Sequence, residues 1–218
     1  MMSEFKVVWQ HRDLMIGGFE TTLMIVALSA AGSLTLGALL TIPLMSRHRG
    51  IARLAMAYVD AMRCVPFLLF VYLIYFGLPT LGIQFDNWTS GVLALILYNT
   101  GYMGELLRGA WTNLPKELIE AGHAFGFHGW GLFRRIILPP VLFSAIPLIG
   151  NQLVQIVKDS AFLTIIAVGE LTHQATSLQT TYFVPFASFI AAVTLYWVTC
   201  VSIESMVGLA NRFAEARR

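Results

Sequence analysis

Leu114-Pro115-Lys116-Glu117-Leu118-Ile119-Glu120-Ala121-Gly122-His123-Ala124-Phe125-Gly126 reads as a short amphipathic helix set between long apolar runs. Pro115 suits a first helical turn, where its missing N–H would have no partner anyway, and acidic residues follow it closely. Leu114, Leu118, Ala121 and Phe125 recur at intervals of four, three and four and so share one face, while Glu117 and Glu120 fall on the neighbouring one. Gly126 is placed to end the helix in a left-handed turn. Two beds suit such a helix. A lipid surface favours a polar face rich in Lys and Arg; a protein partner accommodates the Glu117, Glu120 and His123 found here.

The surroundings of this segment are membrane-like. The 218 residues are 57% hydrophobic and only 12% charged, against roughly 25% charged in soluble domains, and the mean hydropathy is +0.71. A spanning helix uses about 20 apolar residues, so residues 1–218 hold several spans with short loops and read as a single domain. Five apolar stretches qualify, at about residues 17–45, 55–76, 88–107, 136–157 and 184–209. The amphipathic helix, about residues 114–126, therefore lies in a loop longer than helix connections usually are. Near the N-terminus Glu4, Lys6, Arg12 and Asp13 mix both signs before a long apolar run, which predicts an uncleaved first span rather than a signal peptide.

The 14 Lys and Arg residues orient these spans. Arg47, Arg49 and Arg53 follow the first; Arg108, Lys116, Arg134 and Arg135 follow the third; Arg212, Arg217 and Arg218 follow the fifth. Basic residues are retained on the cytoplasmic side of short loops, so those three segments are predicted inside, together with the C-terminus. The 77–87 loop carries no basic residue and belongs outside with the N-terminus. Five crossings agree with termini on opposite sides.

Against this background, Glu120-Ala121-Gly122, then Gly126, then Ile136 and Leu138-Pro139 resembles the EAA signature of ABC importer permeases: Glu-Ala-Ala, three residues, Gly, nine residues, Ile-x-Leu-Pro. One departure is Gly122 in place of the second alanine; a helix-interior glycine costs roughly 1 kcal/mol relative to alanine, so looser docking is expected. Further segments resemble the polar amino acid branch of that family. They are Arg63-Cys64-Val65-Pro66, then Tyr102, Glu105 and Arg108-Gly109, then Asn151-Gln152, Lys158-Asp159-Ser160 and Gly169-Glu170-Leu171.

The resemblance implies an all-α integral membrane fold, the transmembrane domain of a type I ABC importer with about five transmembrane helices, N-terminus periplasmic and C-terminus cytoplasmic. It makes the 114–126 segment a coupling helix, with Glu120, Ala121, Gly122, Gly126, Ile136, Leu138 and Pro139 contributing to the contact with an ATPase subunit. It further implies a dimer of ATP-binding subunits, a second permease that is identical or homologous, and a periplasmic solute-binding protein at the bacterial inner membrane. ATP and Mg would sit on the partner ATPase and no cofactor on this chain. No Gly-x-x-x-x-Gly-Lys-Ser/Thr phosphate loop occurs here, in keeping with that division.

Charges within apolar runs are costly enough to mark function by default. Asp60 and Arg63, three apart on one face, are placed to pair, either as a structural pair near the cytoplasmic end or in a translocation path. Lys158, Asp159 and Glu170 fall at the outer end of the fourth span and in the loop beyond, where they would line an entrance or a central cavity. Glu204 would face the interior or a partner subunit. The five histidines and the two cysteines, Cys64 and Cys200, show no metal-ligand spacing, the scattered basic residues make no nucleic-acid track, and no nucleophile-elbow serine suggests hydrolysis. A secondary transporter driven by an ion gradient remains the rival reading, although no internal repeat supports it.

Overall fold

The computed structural model describes residues 2–215, with side chains over 4–213, and among them it is all helical, with no strand. Arg217 and Arg218, used above to orient the C-terminus, lie outside the described residues. In chain order the helices are α1 (Met2–Gln10), α2 (Arg12–Leu44), α3 (Arg49–Cys64), α4 (Phe67–Tyr72), α5 (Asn87–Thr112), α6 (Lys116–Ala124), α7 (Gly129–Leu132), α8 (Leu138–Ser160), α9 (Leu171–Tyr182) and α10 (Pro185–Glu215). A π turn, Phe133–Ile137, joins α7 to α8, and a 3₁₀ turn, Ala161–Ile166, follows α8.

Three helical segments are long and apolar enough to cross a membrane: Arg12–Leu44, Gly129–Ile166 and Pro185–Phe213. They correspond to the first, fourth and fifth expected stretches. The second, expected at residues 55–76, is not one straight helix: it bends by 108° between α3 and α4. Pro66 explains the break. Its ring excludes the helical conformation from the preceding residue, and Val65 is extended at φ −89°, ψ 130°. The third stretch forms the 26-residue α5, which falls below that apolar threshold because Asn99, Thr100, Tyr102 and Glu105 interrupt its middle. It can carry them because it is enclosed by protein: α2, α3, α4 and α8 all pack on it.

The α2–α5 contact is the most extensive in the molecule, and small residues make it close. Ser29, Ser33, Gly37 and Thr41 are buried at intervals of four along α2, as expected where backbones approach in an apolar medium. A Cβ at Gly37 would lie 2.5 Å from Met103 Cβ and 3.0 Å from the Gly104 amide nitrogen. Around this seam Ile25, Phe67, Phe70, Val71, Leu95 and Leu163 form the largest buried apolar cluster.

The start of α5 shows how a local signal sets an element. The Asp86 side chain accepts from the Trp88 and Thr89 amides, at 3.1 and 3.2 Å, and from the Thr89 hydroxyl, satisfying donors that a first turn leaves free. The Thr89 hydroxyl and amide hold the Asp86 carboxyl below the usual carboxylate range. Asp86→Ala is expected to speed amide exchange at Thr89, and less at Trp88, whose amide also donates to Asn87 Oδ1 at 2.8 Å, while leaving exchange in the middle of α5 unchanged; wild-type exchange at Thr89 would mean that the cap contributes nothing.

Candidate functional site

The amphipathic segment expected at 114–126 is α6, Lys116–Ala124, with Pro115 as its N-cap residue. Its end is a Schellman turn: the Phe127 amide donates to the Gly122 carbonyl at 3.0 Å and the Gly126 amide to the His123 carbonyl at 2.9 Å. Gly126 supplies the required left-handed residue at φ +81°. The orientation of the helix is decided by its smallest residue. Gly122 is buried, and a Cβ there would lie 2.6 Å from Leu132 Cδ1 and 3.4 Å from Ile136 Cγ1, so the inward face is Gly122 with the half-buried Ile119, resting on the Leu107, Leu132 and Ile137 cluster.

The face at intervals of four, three and four therefore points away from the rest of the chain over most of its length. Leu114 packs into the cluster, but Leu118 is 36% and Phe125 83% exposed, and Ala121 is exposed with Glu117 and Glu120 beside it. Ile136, Leu138 and Pro139 are half-buried; Ile136 backs α6, and Leu138 and Pro139 open α8. The signature residues thus divide into Glu120, Ala121 and Gly126, which are exposed, Gly122 and Ile136, which seat α6, and Leu138 and Pro139 at the start of α8. Across the turn, the rings of His123 and His128 meet, Nδ1 to Nδ1 at 3.1 Å, a contact that the spacing of five did not suggest. No group of three or more potential metal ligands occurs among the described residues.

A second set of polar groups lies inside the helical bundle. Asn99, fully buried on α5, accepts from Gln152 of α8 at 2.6 Å. The Tyr98 hydroxyl donates to the Val65 carbonyl at 3.1 Å, at the α3–α4 break, and meets Tyr102 at 3.4 Å. Glu105 and Arg108 form a two-pronged ion pair, both contacts 2.7 Å. Asp159 is buried; its Oδ1 accepts from Gln155 at 2.8 Å, while its Oδ2 has no hydrogen-bond partner.

The expected Asp60–Arg63 pair is not formed. Both side chains are exposed on α3, and Arg63 instead lies within electrostatic reach of Glu105, because the helix turns Arg63 toward α5. Lys158 and Glu204 are exposed on α8 and α10. The six charged candidates are accordingly not gathered into one site.

Glu170 has a different place. It is fully buried and caps α9, accepting from the Thr172 and His173 amides at 2.8 and 2.7 Å and from the Tyr196 hydroxyl of α10 at 2.7 Å. The next residue, Leu171, donates its amide to Thr22 of α2 at 3.0 Å. Burial pushes the Glu170 carboxyl above its usual range, with the Tyr196, Thr172 and His173 donors acting against that shift. Glu170 therefore ties α2, α9 and α10 together rather than lining an opening. Nothing in the spacing linked it to Tyr196, 26 residues away.

The chain is 29% identical over 209 residues to the probable glutamine ABC transporter permease protein GlnM of Bacillus subtilis, covering 96% of this chain and 97% of that one. It is 31% identical to the glutamine transport system permease protein GlnP of Escherichia coli, covering 80% of each. It is 36% identical to the octopine transport system permease protein OccQ of Rhizobium meliloti, over 79% of this chain and 76% of that one. A crystal structure of an amino acid ABC transporter superposes with a TM-score of 0.90 at 26% identity, over 95% of this chain and 97% of that one. The inward-facing MetNI methionine ABC transporter shares the fold, with a TM-score of 0.72 at 21% identity. Residues 33–215 match the family profile, and the chain belongs to the family of binding-protein-dependent transport system inner membrane components.

Proposed function

We propose that this chain is the membrane-spanning subunit of an ATP-driven importer for polar amino acids or related small solutes. The observation that carries the reading is α6: a helix seated on its glycine face that presents Leu118, Ala121 and Phe125 outward beside Glu117 and Glu120. An apolar stripe with flanking acids is a surface for a protein groove, and here the partner is the ATPase dimer that binds ATP and Mg.

In this reading the chain crosses the membrane five times, with α5 as the enclosed crossing and the α3–α4 pair as a broken one, N-terminus periplasmic and C-terminus cytoplasmic. A second permease, identical or homologous, completes the path, and a periplasmic binding protein delivers the solute. Closure of the ATPase dimer displaces α6. Because Gly122 is packed on Leu132 and Ile136, that displacement passes to α7 and α8, and α8 carries Gln152 and Asp159 into the polar interior. The subunit acts by switching between two conformations of different affinity. Asp159, with its unpartnered buried oxygen, and the neighbouring Lys158 are proposed to face the solute path.

Purification through a tag on this chain tests the reading. The wild type is expected to bring an ATPase subunit with it. Glu120→Ala and Gly126→Val, the second placing a β-branched residue at positive φ, are expected to lose that subunit or uncouple ATP hydrolysis from uptake. Recovery of no ATPase, with uptake that collapses when the ion gradient is removed, would establish a secondary transporter instead.

A further inference from the structure

At the end of the molecule that carries α6, an apolar groove of about 480 Å³ opens between the last turns of α2 and the α7 segment, lined among others by Ala38, Met45, Trp111, Trp130 and Phe133. A narrower pocket of about 140 Å³ shares Ala38, Trp111 and Phe133 and continues past Leu107, Val141 and Leu142. Trp111 and Trp130 each meet Phe133 with ring centroids 5.2 Å apart, so one end of the groove has an aromatic rim.

Each wall has an exposed basic residue close by in the chain. Arg47 follows Met45 by two positions and Arg134 follows Phe133 directly; both are exposed, and neither has an ion-pair or hydrogen-bond partner among the described residues. An apolar slot, tryptophans at one end and exposed guanidinium groups adjoining its walls in the chain match an acyl chain, its interfacial region and a headgroup phosphate. Guanidinium groups suit phosphate better than ammonium groups do, because they donate in a planar fork. The geometry points to a binding site for one anionic phospholipid per permease, its acyl chain between α2 and α8 and its phosphate on Arg47 and Arg134. The site rests on the membrane-spanning reading but not on the identity of the solute. Its occupant touches Trp130 and Phe133, the segment immediately behind α6.

The test adds dioleoyl phosphatidylglycerol or dioleoyl phosphatidylcholine to the delipidated, detergent-solubilised complex and counts retained lipids by native mass spectrometry. Wild type is expected to retain one phosphatidylglycerol per permease in preference to phosphatidylcholine. Arg47→Gln with Arg134→Gln is expected to reduce that preference by about thirtyfold, each basic residue near a headgroup contributing a comparable share. Ala38→Trp, which fills the groove, is expected to lose both lipids, whereas Ala31→Trp, two turns away on the same helix, keeps them. Retention by Ala38→Trp at the wild-type level, equal retention of the two lipids by the wild type, or no retained lipid at all overturns the site. Whether the ATPase subunit co-purifies in the same preparation reports separately on the permease reading.

Discussion

Replacing Glu170 with alanine is expected to lower the melting temperature of the detergent-solubilised protein by about 10 °C. The substitution removes the acceptor of two α9 amides and of the Tyr196 hydroxyl in a place that water does not reach. A hydrogen bond to a charged group contributes about 1.5–3 kcal/mol, and a buried donor left without an acceptor adds its own penalty. Discounting for overlap among three bonds on one carboxylate gives about 4 kcal/mol, which in a chain of this length corresponds to the shift stated. Glu170→Gln keeps one carbonyl acceptor but turns an N–H toward a donor, so an intermediate loss is expected. Tyr196→Phe removes the bond to Glu170 and the 3.0 Å contact with the Thr172 hydroxyl but leaves both α9 amides their acceptor, and is expected to cost less than Glu170→Ala. A melting temperature for Glu170→Ala within 2 °C of wild type, about the effect of less than one hydrogen bond, would show that the contact between α9 and α10 does not depend on this carboxylate.

The second large effect is expected at Gly37. A leucine there must place its Cβ against Met103 Cβ and the Gly104 amide nitrogen. Backbone atoms cannot rotate aside as a side-chain tip can, so α2 and α5 must part. Overpacking typically costs about 1–3 kcal/mol, and separating the most extensive helix pair places Gly37→Leu at the top of that range. The expected readout is a sharp fall in the yield of monodisperse protein, with Gly37→Ala falling less. Gly37→Leu of wild-type yield and melting behaviour would mean that the seam is looser than these distances imply.

What was legible in the sequence was what depends on near neighbours. The α6 helix, its Pro115 start and its Gly126 stop follow from residues within a few positions of each other, and the structure places them within two residues of expectation. The Val65-Pro66 break carried a local signal of the same kind, but a hydropathy window averages across a bend and reads two segments as one span. Harder to see was which way α6 faces. Periodicity identifies an apolar stripe without saying whether it is buried, and only the packing of Gly122 against Leu132 and Ile136 shows that the stripe looks outward. The polar interior was the least legible. Asn99 with Gln152, and Glu170 with Tyr196, are joined across 53 and 26 positions, distances over which one sequence carries no pairing signal. The Asp60–Arg63 expectation failed for a related reason: spacing puts two residues on one face but does not exclude a better-placed partner on another helix.

The segment Gly129–Ile166 runs as 38 residues of helix through a π turn without a sharp bend. At 1.5 Å per residue it is a rod about 57 Å long. Pivoted at the end near α6, a tilt of about 5° swings its far end by about 5 Å, close to the rise of a full helical turn. Small angular motions at one membrane face are thereby magnified at the other by geometry alone, and the contacts of α8 with α5 and α10 are where that swing is taken up.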